Sequence, residues 1–318
     1  MRALTAPNAT TPLSFVDLPS LPLKPHQVRI AVKAVGVNPV DWKMRDYEFL
    51  GVMQRLLGPR GPVVVGIDVA GLVTEVGSKV RDFAVGDRVV GATDFSKGER
   101  GSYAEEAIVT DANCARLPDL VSFETAGALP VAGATAWMAL HDHGRITERM
   151  DPRVLVLGAA GGVGHLAVQL ARNAGAKVLG VCSTRNVPLI TSFGVTPLDY
   201  TQGDALTRAR DDGPFDVIVD GVGSATYPRS ACASLLKSDG VLVQVVPRAS
   251  DLPFIALPGR THTVLGRATR ERLEKLLVAI VARRLTVTIE HALPLADAER
   301  AQQLSRAGRV VGKLVLVA

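Results

Sequence analysis

Cysteine is scarce: Cys114, Cys182 and Cys232 stand far apart in 318 residues. That excludes a disulfide framework and a four-cysteine zinc lobe, and it makes a reducing compartment the default. Aromatic residues amount to 4%, and no stripe of them interleaves with basic residues, which counts against nucleic-acid binding. No block of like charge exists either. The 36 Lys and Arg and 31 Asp and Glu are interspersed, and the net +5 favours anions without marking a nucleic-acid tail. An unbroken apolar stretch is missing near the N-terminus, where Arg2, Pro7, Pro12 and Asp17 intervene, so no signal peptide is expected. The longest uncharged run, 154–171, nearly has membrane-span length, but Gly158, Gly161, Gly162, Gly164, His165 and Gln169 make it strand, turn and helix instead. These absences leave the expectation of a soluble cytoplasmic protein. With 47% hydrophobic residues the chain can bury a core, and its length suits more than one domain and fewer than three.

What is present changes texture along the chain. The first 120 or so residues read as short strands broken by glycine and proline. Segment 27–37 alternates Val28, Ile30 and Val32 with Arg29, Ala31 and Lys33, the period of a half-buried strand. Segments 73–76, 88–90 and 102–110 repeat the style, which predicts a compact β-barrel-like domain. Beyond Pro118, Ser122 caps a predicted helix and 126–141 is alanine-rich. Strands predicted at 154–157, 177–181, 217–220 and 241–246 then alternate with helices at 162–174, 187–193 and 224–235. That rhythm predicts a parallel sheet covered on both faces. A charged helix at 270–284 and strands at 286–289 and 312–317 resemble the opening texture. The expected domains are therefore 1–122, a nucleotide-binding insertion at 123–267, and a return at 268–318.

The strongest chemical signal is the bend Gly158-Ala159-Ala160-Gly161-Gly162-Val163-Gly164 between a strand and a helix. It has the form of a dinucleotide fingerprint, with Ala159 at the first glycine position, Gly161 at the second and Gly164 at the third. A small first residue permits the tight turn, Gly161 lets backbone approach the pyrophosphate, and Gly164 lets helix and strand pack closely. The helix N-terminus adds free N–H groups and a positive dipole for phosphate. The next strand ends at Cys182 with no acid after it to hold an adenosine ribose. Ser183, Thr184 and Arg185 follow instead. Ser183 can donate to a 2′-phosphate and Arg185 can pair with it, so NADPH is the expected cofactor. The alternative is that Arg185 is a solvated charge opening a helix.

At this point LGAAGGVG (157–164), AVGVNPVDWK (34–43), VVGIDVAGLVTEVG (64–77), VGDRVVG (85–91), LPVAGATAW (129–137), FDVIVDGVG (215–223) and GKLVLV (312–317) can be taken together. They resemble the medium-chain dehydrogenase/reductase superfamily, and within it the zinc-free quinone oxidoreductase branch of zeta-crystallin-like proteins and enone or enoyl-thioester reductases. The resemblance implies an α/β chain, a Rossmann domain inserted in a GroES-like catalytic domain, with the active site in a cleft. It also implies a homodimer joined through sheet edges, here around 261–265.

Zinc alcohol dehydrogenases of that superfamily carry a cysteine where this chain has Asn38 and a His-Glu pair where it has Ile67-Asp68. Asp41 and Asp68 alone make a poor zinc site, and His141 and His143 face different ways, so no metal is expected. Without a Lewis acid, a conjugated acceptor is easier to reduce than a simple ketone, because charge delocalises onto a distant oxygen as hydride adds.

The resemblance sets Asn38 near nicotinamide and substrate, as an oxyanion donor or else a self-satisfied Asn-Pro turn. Thr135 falls beside the nicotinamide or packs a helix interior. Tyr200 falls near the adenosine phosphate. Gly221, Val222, Gly223, Val246 and Pro247 follow strands whose ends line the cofactor cleft, and Lys313 is near the cleft or a solvated strand lysine. Tyr47 is a candidate proton donor at an offset spacing, with solvent as the alternative. The expected function is an NADPH-dependent, zinc-independent reductase of quinones or α,β-unsaturated carbonyls. The alternatives are an enoyl-CoA or enoyl-thioester reductase, with Arg260, Arg267 and Arg270 meeting phosphates, and a non-catalytic NADPH-binding or RNA-binding zeta-crystallin-like protein.

Overall fold

A computed structural model describes residues 1–6, 11–46, 56, 58–246, 259–264 and 266–318. The described strands, in chain order, are β1 (Arg2–Thr5), β2 (Ser14–Asp17), β3 (Gln27–Val37), β4 (Asp68–Val76), β5 (Arg88–Ala92), β6 (Glu106–Thr110), β7 (Cys114–Arg116) and β8 (Arg153–Leu157). They continue with β9 (Lys177–Cys182), β10 (Thr196–Asp199), β11 (Phe215–Asp220), β12 (Leu236–Gln244), β13 (Thr261–Thr263), β14 (Ile289–Pro294) and β15 (Lys313–Val317).

The chain divides into two compact units. The first holds Met1–Val131, Ala268–Ala282 and Ile289–Ala318; the second holds Ala132–Arg267 and Arg283–Thr288. In the first unit a mixed sheet runs β14-β15-β3-β4-β5-β7, with β6 also paired to β3. The alternation of β3 shows why: Val28, Ile30 and Val32 are buried in a core with Val69, Tyr103, Leu314 and Leu316. The intervening Arg29 instead pairs across the sheet with Glu75 at 2.9 Å and Glu106 at 2.7 Å.

In the second unit six parallel strands run β10-β9-β8-β11-β12-β13. Counted from β8 this is the order 3-2-1-4-5-6, the doubly wound Rossmann arrangement, and its direction of winding reverses between β8 and β11. All six residues of β11 are buried, as a strand covered on both faces requires. The expected α/β class, a parallel Rossmann-type sheet together with a mixed β-rich sheet, is what the chain forms.

Local boundaries moved for identifiable reasons. The strand expected at 102–110 starts at Glu106, because Ser102 and Tyr103 instead bond the backbone of Gly66 and Val65. The helix expected at 224–235 contracts to Arg229–Ala233 behind Pro228. The alanine-rich stretch breaks at Pro130, and after Trp137 it becomes π-helical over Met138–His143. The strand expected at 286–289 begins only at Ile289, because 284–288 spends its backbone bonds on side chains of a helix described below.

Candidate active site

The glycine-rich bend lies in the second unit at the point where the strand order reverses, where doubly wound folds open a crevice. Leaving β8, Gly158 takes φ +78°, a conformation that side chains resist. A Cβ on Gly164 would stand 2.1 Å from the Gly158 carbonyl oxygen and 2.9 Å from the Ala159 Cα, so close packing forces glycine there. A Cβ on Gly161 would meet only that same oxygen, at 3.4 Å. Nothing among the described residues demands glycine at 161. The helix Gly164–Asn173 that follows has no side-chain N-cap, unlike the helices begun by Ser122, Asp204 and Thr269. Its first turn is therefore open to an anion, and Ala159, Ala160, Gly161, Gly162, Val163 and Gly164 fit the diphosphate of a dinucleotide.

At the end of β9, Ser183 accepts from the Asn186 amide at 3.2 Å and Arg185 is exposed in a 3-10 turn. No acid follows β9 directly, but folding supplies one from the neighbouring strand. Asp199 ends β10 opposite Cys182, and its carboxylate accepts from the Thr184 hydroxyl at 2.7 Å. That bond, with those from Thr201, holds the Asp199 carboxyl below its usual range. Tyr200, next in sequence, is 51% exposed. At the end of β11, buried Asp220 accepts from the backbone N–H groups of Val222 at 3.0 Å and Gly223 at 2.8 Å, which shapes the Gly221-Val222-Gly223 turn. Val246 follows β12 and is half-buried. Thr135 is buried in the helix Pro130–Trp137 of the same unit. Pro247, Leu265 and Tyr47 lie outside the described residues.

In the first unit, folding gathers Asn38, Asp41, Asp68, Tyr103 and Lys313 into one buried polar cluster. Lys313 is 3% exposed, so a solvated lysine is excluded. Its ammonium donates to the Val37 carbonyl at 3.1 Å and to the Asn38 Oδ1, and it stands 3.8 Å from Asp68. Asn38 Nδ2 donates to Asp68 at 2.8 Å, and the other Asp68 oxygen accepts from the Val131 N–H at 2.8 Å. The ammonium fixes which amide atom is oxygen, since the reverse would press NH2 against NH3⁺. Asp41 accepts from the Asn38 N–H at 2.7 Å and from the Tyr103 hydroxyl at 3.1 Å. Its other oxygen is buried without a partner among the described residues. Burial therefore pushes the Asp41 carboxyl up to about 7, against the pull of the Asn38 N–H. Burial likewise raises Asp68 and lowers Lys313, so both are drawn toward their neutral forms. It also keeps the Tyr103 phenol protonated, because its titration lies well above the ordinary range. Close approach is built into β3, where a Cβ on Gly36 would sit 2.5 Å from Asp68 Oδ2 and 2.6 Å from the Gly127 oxygen.

This donor set does not fit a zinc ion. Thiolate and imidazole are missing from it, the asparagine and Asp68 are already engaged with each other, and a dication would have to share the cavity with an ammonium. Among the described residues no group of three or more His, Cys, Asp or Glu is arranged to hold a metal. His141 stacks on Trp137 at 4.0 Å and His143 meets His262 in a tilted ring contact at 4.6 Å, so the two histidines serve different contacts.

A doubly wound sheet with an open glycine bend, joined in one chain to a β-rich unit, defines the dehydrogenase type of α/β protein. Comparison with known proteins makes this specific. A family described as the alcohol dehydrogenase GroES-like domain matches residues 24–119, and one described as zinc-binding dehydrogenase matches residues 194–316. The chloroplast envelope quinone oxidoreductase homolog of Arabidopsis thaliana is 31% identical over 317 residues, spanning 96% of this chain and 93% of that protein. Among solved structures, the quinone oxidoreductase from Coxiella burnetii superposes with a TM-score of 0.88 at 29% identity, covering 100% of this chain and 99% of that one. Escherichia coli quinone oxidoreductase complexed with NADPH gives 0.81 at 25% identity, covering 100% of each. The chain belongs to the medium-chain dehydrogenase/reductase superfamily, in its quinone oxidoreductase branch.

Sequence reasoning missed the roles of Tyr103, Asp199, Asp220 and His165. Only the last left a visible trace, as the first of His165, Gln169 and Asn173, spaced by four along a helix that is otherwise mostly apolar.

Proposed function

We propose that the protein is an NADPH-dependent, metal-independent reductase of quinones or α,β-unsaturated carbonyls. The observation that carries this reading is the open bend at 158–164, with a glycine at 161 that packing among the described residues does not require. The cofactor named for the Escherichia coli relative supports it. Residues 123–267 form the nucleotide-binding domain in this account, between catalytic parts at 1–122 and 268–318. The division of the chain after Val131 and Arg267 supports that order.

The backbone of Ala159–Gly164 and the open helix end hold the diphosphate; Gly221, Val222, Gly223, Val246, Pro247, Thr135 and Tyr200 border the rest of the cofactor. Ser183 and Arg185 hold the 2′-phosphate with charge-assisted bonds worth about 1.5–3 kcal/mol each. They do so against the ionised Asp199, which disfavours it and narrows the preference over NADH. Bound NADPH supplies a hydride to the β-carbon of the acceptor. Asn38 spends one amide hydrogen on Asp68, and the second is assigned to the acceptor oxygen as negative charge grows there. Lys313 and Asp68 hold that amide in orientation, which makes them positioning residues. The proton that completes reduction comes from Tyr47 or solvent.

Purified protein dialysed against a chelator and supplied with NADPH or NADH, then with a quinone, an enone or an enoyl-CoA, tests the reading. Oxidation of NADPH by the quinone or enone, undiminished by the chelator, is expected. Preference for the enoyl-CoA would move the assignment to enoyl-thioester reduction. Cofactor uptake without oxidation by any acceptor would make the protein a binding module.

A further inference from the structure

The mechanism above leaves unused a buried histidine at the start of the Gly164–Asn173 helix. His165 is fully buried, and both ring nitrogens are engaged. Nε2 lies 3.2 Å from the Thr288 backbone nitrogen, which can only donate. Nε2 is therefore the bare acceptor nitrogen, and the proton of the neutral ring resides on Nδ1. Nδ1 in turn lies 2.9 Å from the Gly161 carbonyl oxygen, which can only accept. The His165 backbone N–H donates to the same carbonyl at 3.0 Å. One tautomer satisfies all three groups.

Thr288 is held in place for this. Gln169, one turn along the helix, exchanges two hydrogen bonds with Thr286, donating to its carbonyl at 2.9 Å and accepting from its N–H at 2.8 Å. Asn173, a further turn along, donates to the Arg284 carbonyl at 2.7 Å. Three side chains on one helix face thus pin the 284–288 segment, which carries the chain back from the helix Arg270–Val281 to β14.

We infer that His165 is a positioning residue for the pyrophosphate, whose tautomer is set by the Thr288 N–H so that Nδ1–H aims the Gly161–Gly162 peptide. A trans peptide points its C=O and its N–H in opposite directions. Drawing the Gly161 oxygen toward the ring turns the Gly162 N–H outward from the helix, as a donor for phosphate. The inference rests on the nucleotide reading of the bend. It assigns to a segment more than 120 residues downstream a part in shaping that bend, since His165 and Thr288 are 123 residues apart.

NADPH dissociation constants of wild type, His165→Leu, His165→Asn and Thr288→Pro test this, with a long-range proton–nitrogen NMR spectrum of the histidines. The spectrum should show His165 as the Nδ1–H tautomer, identified among the six histidines by its loss in His165→Asn. Leucine removes both ring contacts and should weaken NADPH about tenfold or more. Asparagine restores a donor near the Nδ1 position and should stay within about threefold of wild type. Thr288→Pro removes the N–H that holds Nε2, so it should convert part of the His165 population to the other tautomer and weaken NADPH with the ring still present. A leucine variant that binds NADPH as wild type does, or an Nε2–H tautomer in wild type, overturns this inference alone. No uptake by wild type overturns the nucleotide reading and this inference with it. If the leucine variant fails to fold, Thr288→Pro and the wild-type spectrum still decide.

Discussion

Lys313 is buried where a solvated strand residue was one of two expectations, and its neighbours explain the burial. The Asn38 amide oxygen, the Val37 carbonyl and the Asp68 carboxylate supply the partners that a buried cation requires. Removing one member of such a cluster leaves its counter-charge stranded, which typically costs about 3–5 kcal/mol. Lys313→Met should therefore lower the chemical denaturation midpoint clearly, and a midpoint equal to wild type would show that the ammonium is not the counter-charge of Asp68. Asp41 makes a separate prediction about pH. Its carboxyl titrates near 3.8 when unfolded and at about 7 when folded, so between those values the native state binds the extra proton. Stability from this group is complete below about pH 4 and is lost as pH rises toward 7. Asp41→Asn cannot ionise, so its unfolding free energy should decline less than wild type's between pH 4 and 7. Equal slopes would remove Asp41 as the titrating group.

Among secondary-structure elements, the strand–bend–helix from β8 to Asn173 separates glycines by what demands them. Gly164 answers to the protein, since a Cβ would collide with the Gly158 carbonyl. Gly161 answers to nothing among the described residues. Gly164→Ala should therefore destabilise the fold. Gly161→Ala should unfold within about 0.5 kcal/mol of wild type yet bind NADPH at least about tenfold more weakly. Calorimetry on the apo forms and a fluorescence titration distinguish the two. Equal affinity of Gly161→Ala and wild type would remove the diphosphate from the bend. Much of this element was legible in advance, because its signals are local: an apolar strand, small residues at fixed offsets, and a helix after them. The 284–288 segment was not. Its Thr286 and Thr288 look like strand residues, and only Gln169 and His165, more than a hundred residues upstream, divert their backbone groups.

For the whole molecule, β13 is the last strand of the parallel sheet among the described residues. Leu242 donates to the Arg260 carbonyl and Val264 donates to the Gln244 carbonyl, so the alternation of the ladder turns the backbone of Thr261 and Thr263 away from β12. A terminal strand that turns backbone groups away from its own sheet supports the proposal of a homodimer built edge to edge. Light scattering on the eluting protein should give twice the chain mass of 33.6 kDa. Thr261→Pro, which removes an outward N–H and leaves the β12 ladder intact, should shift it to the monomer. A monomeric wild type would end the proposal. Among the described residues no helix is long and apolar enough to cross a membrane.

Sequence alone determined what depends on short-range pattern. The β3 alternation, the doubly wound rhythm after Pro118, the glycine offsets at 158–164 and the family motifs each lie within a span that one element samples. Tertiary structure decided what depends on distant pairs: Lys313 meeting Asn38 across 275 residues, Asp199 reaching Thr184 from the next strand, and Thr288 selecting the His165 tautomer. Hydrophobic periodicity specifies which face of an element is buried. It carries no information on which polar group will be met there, because hydrogen bonds require ångström placement that only the closed fold supplies.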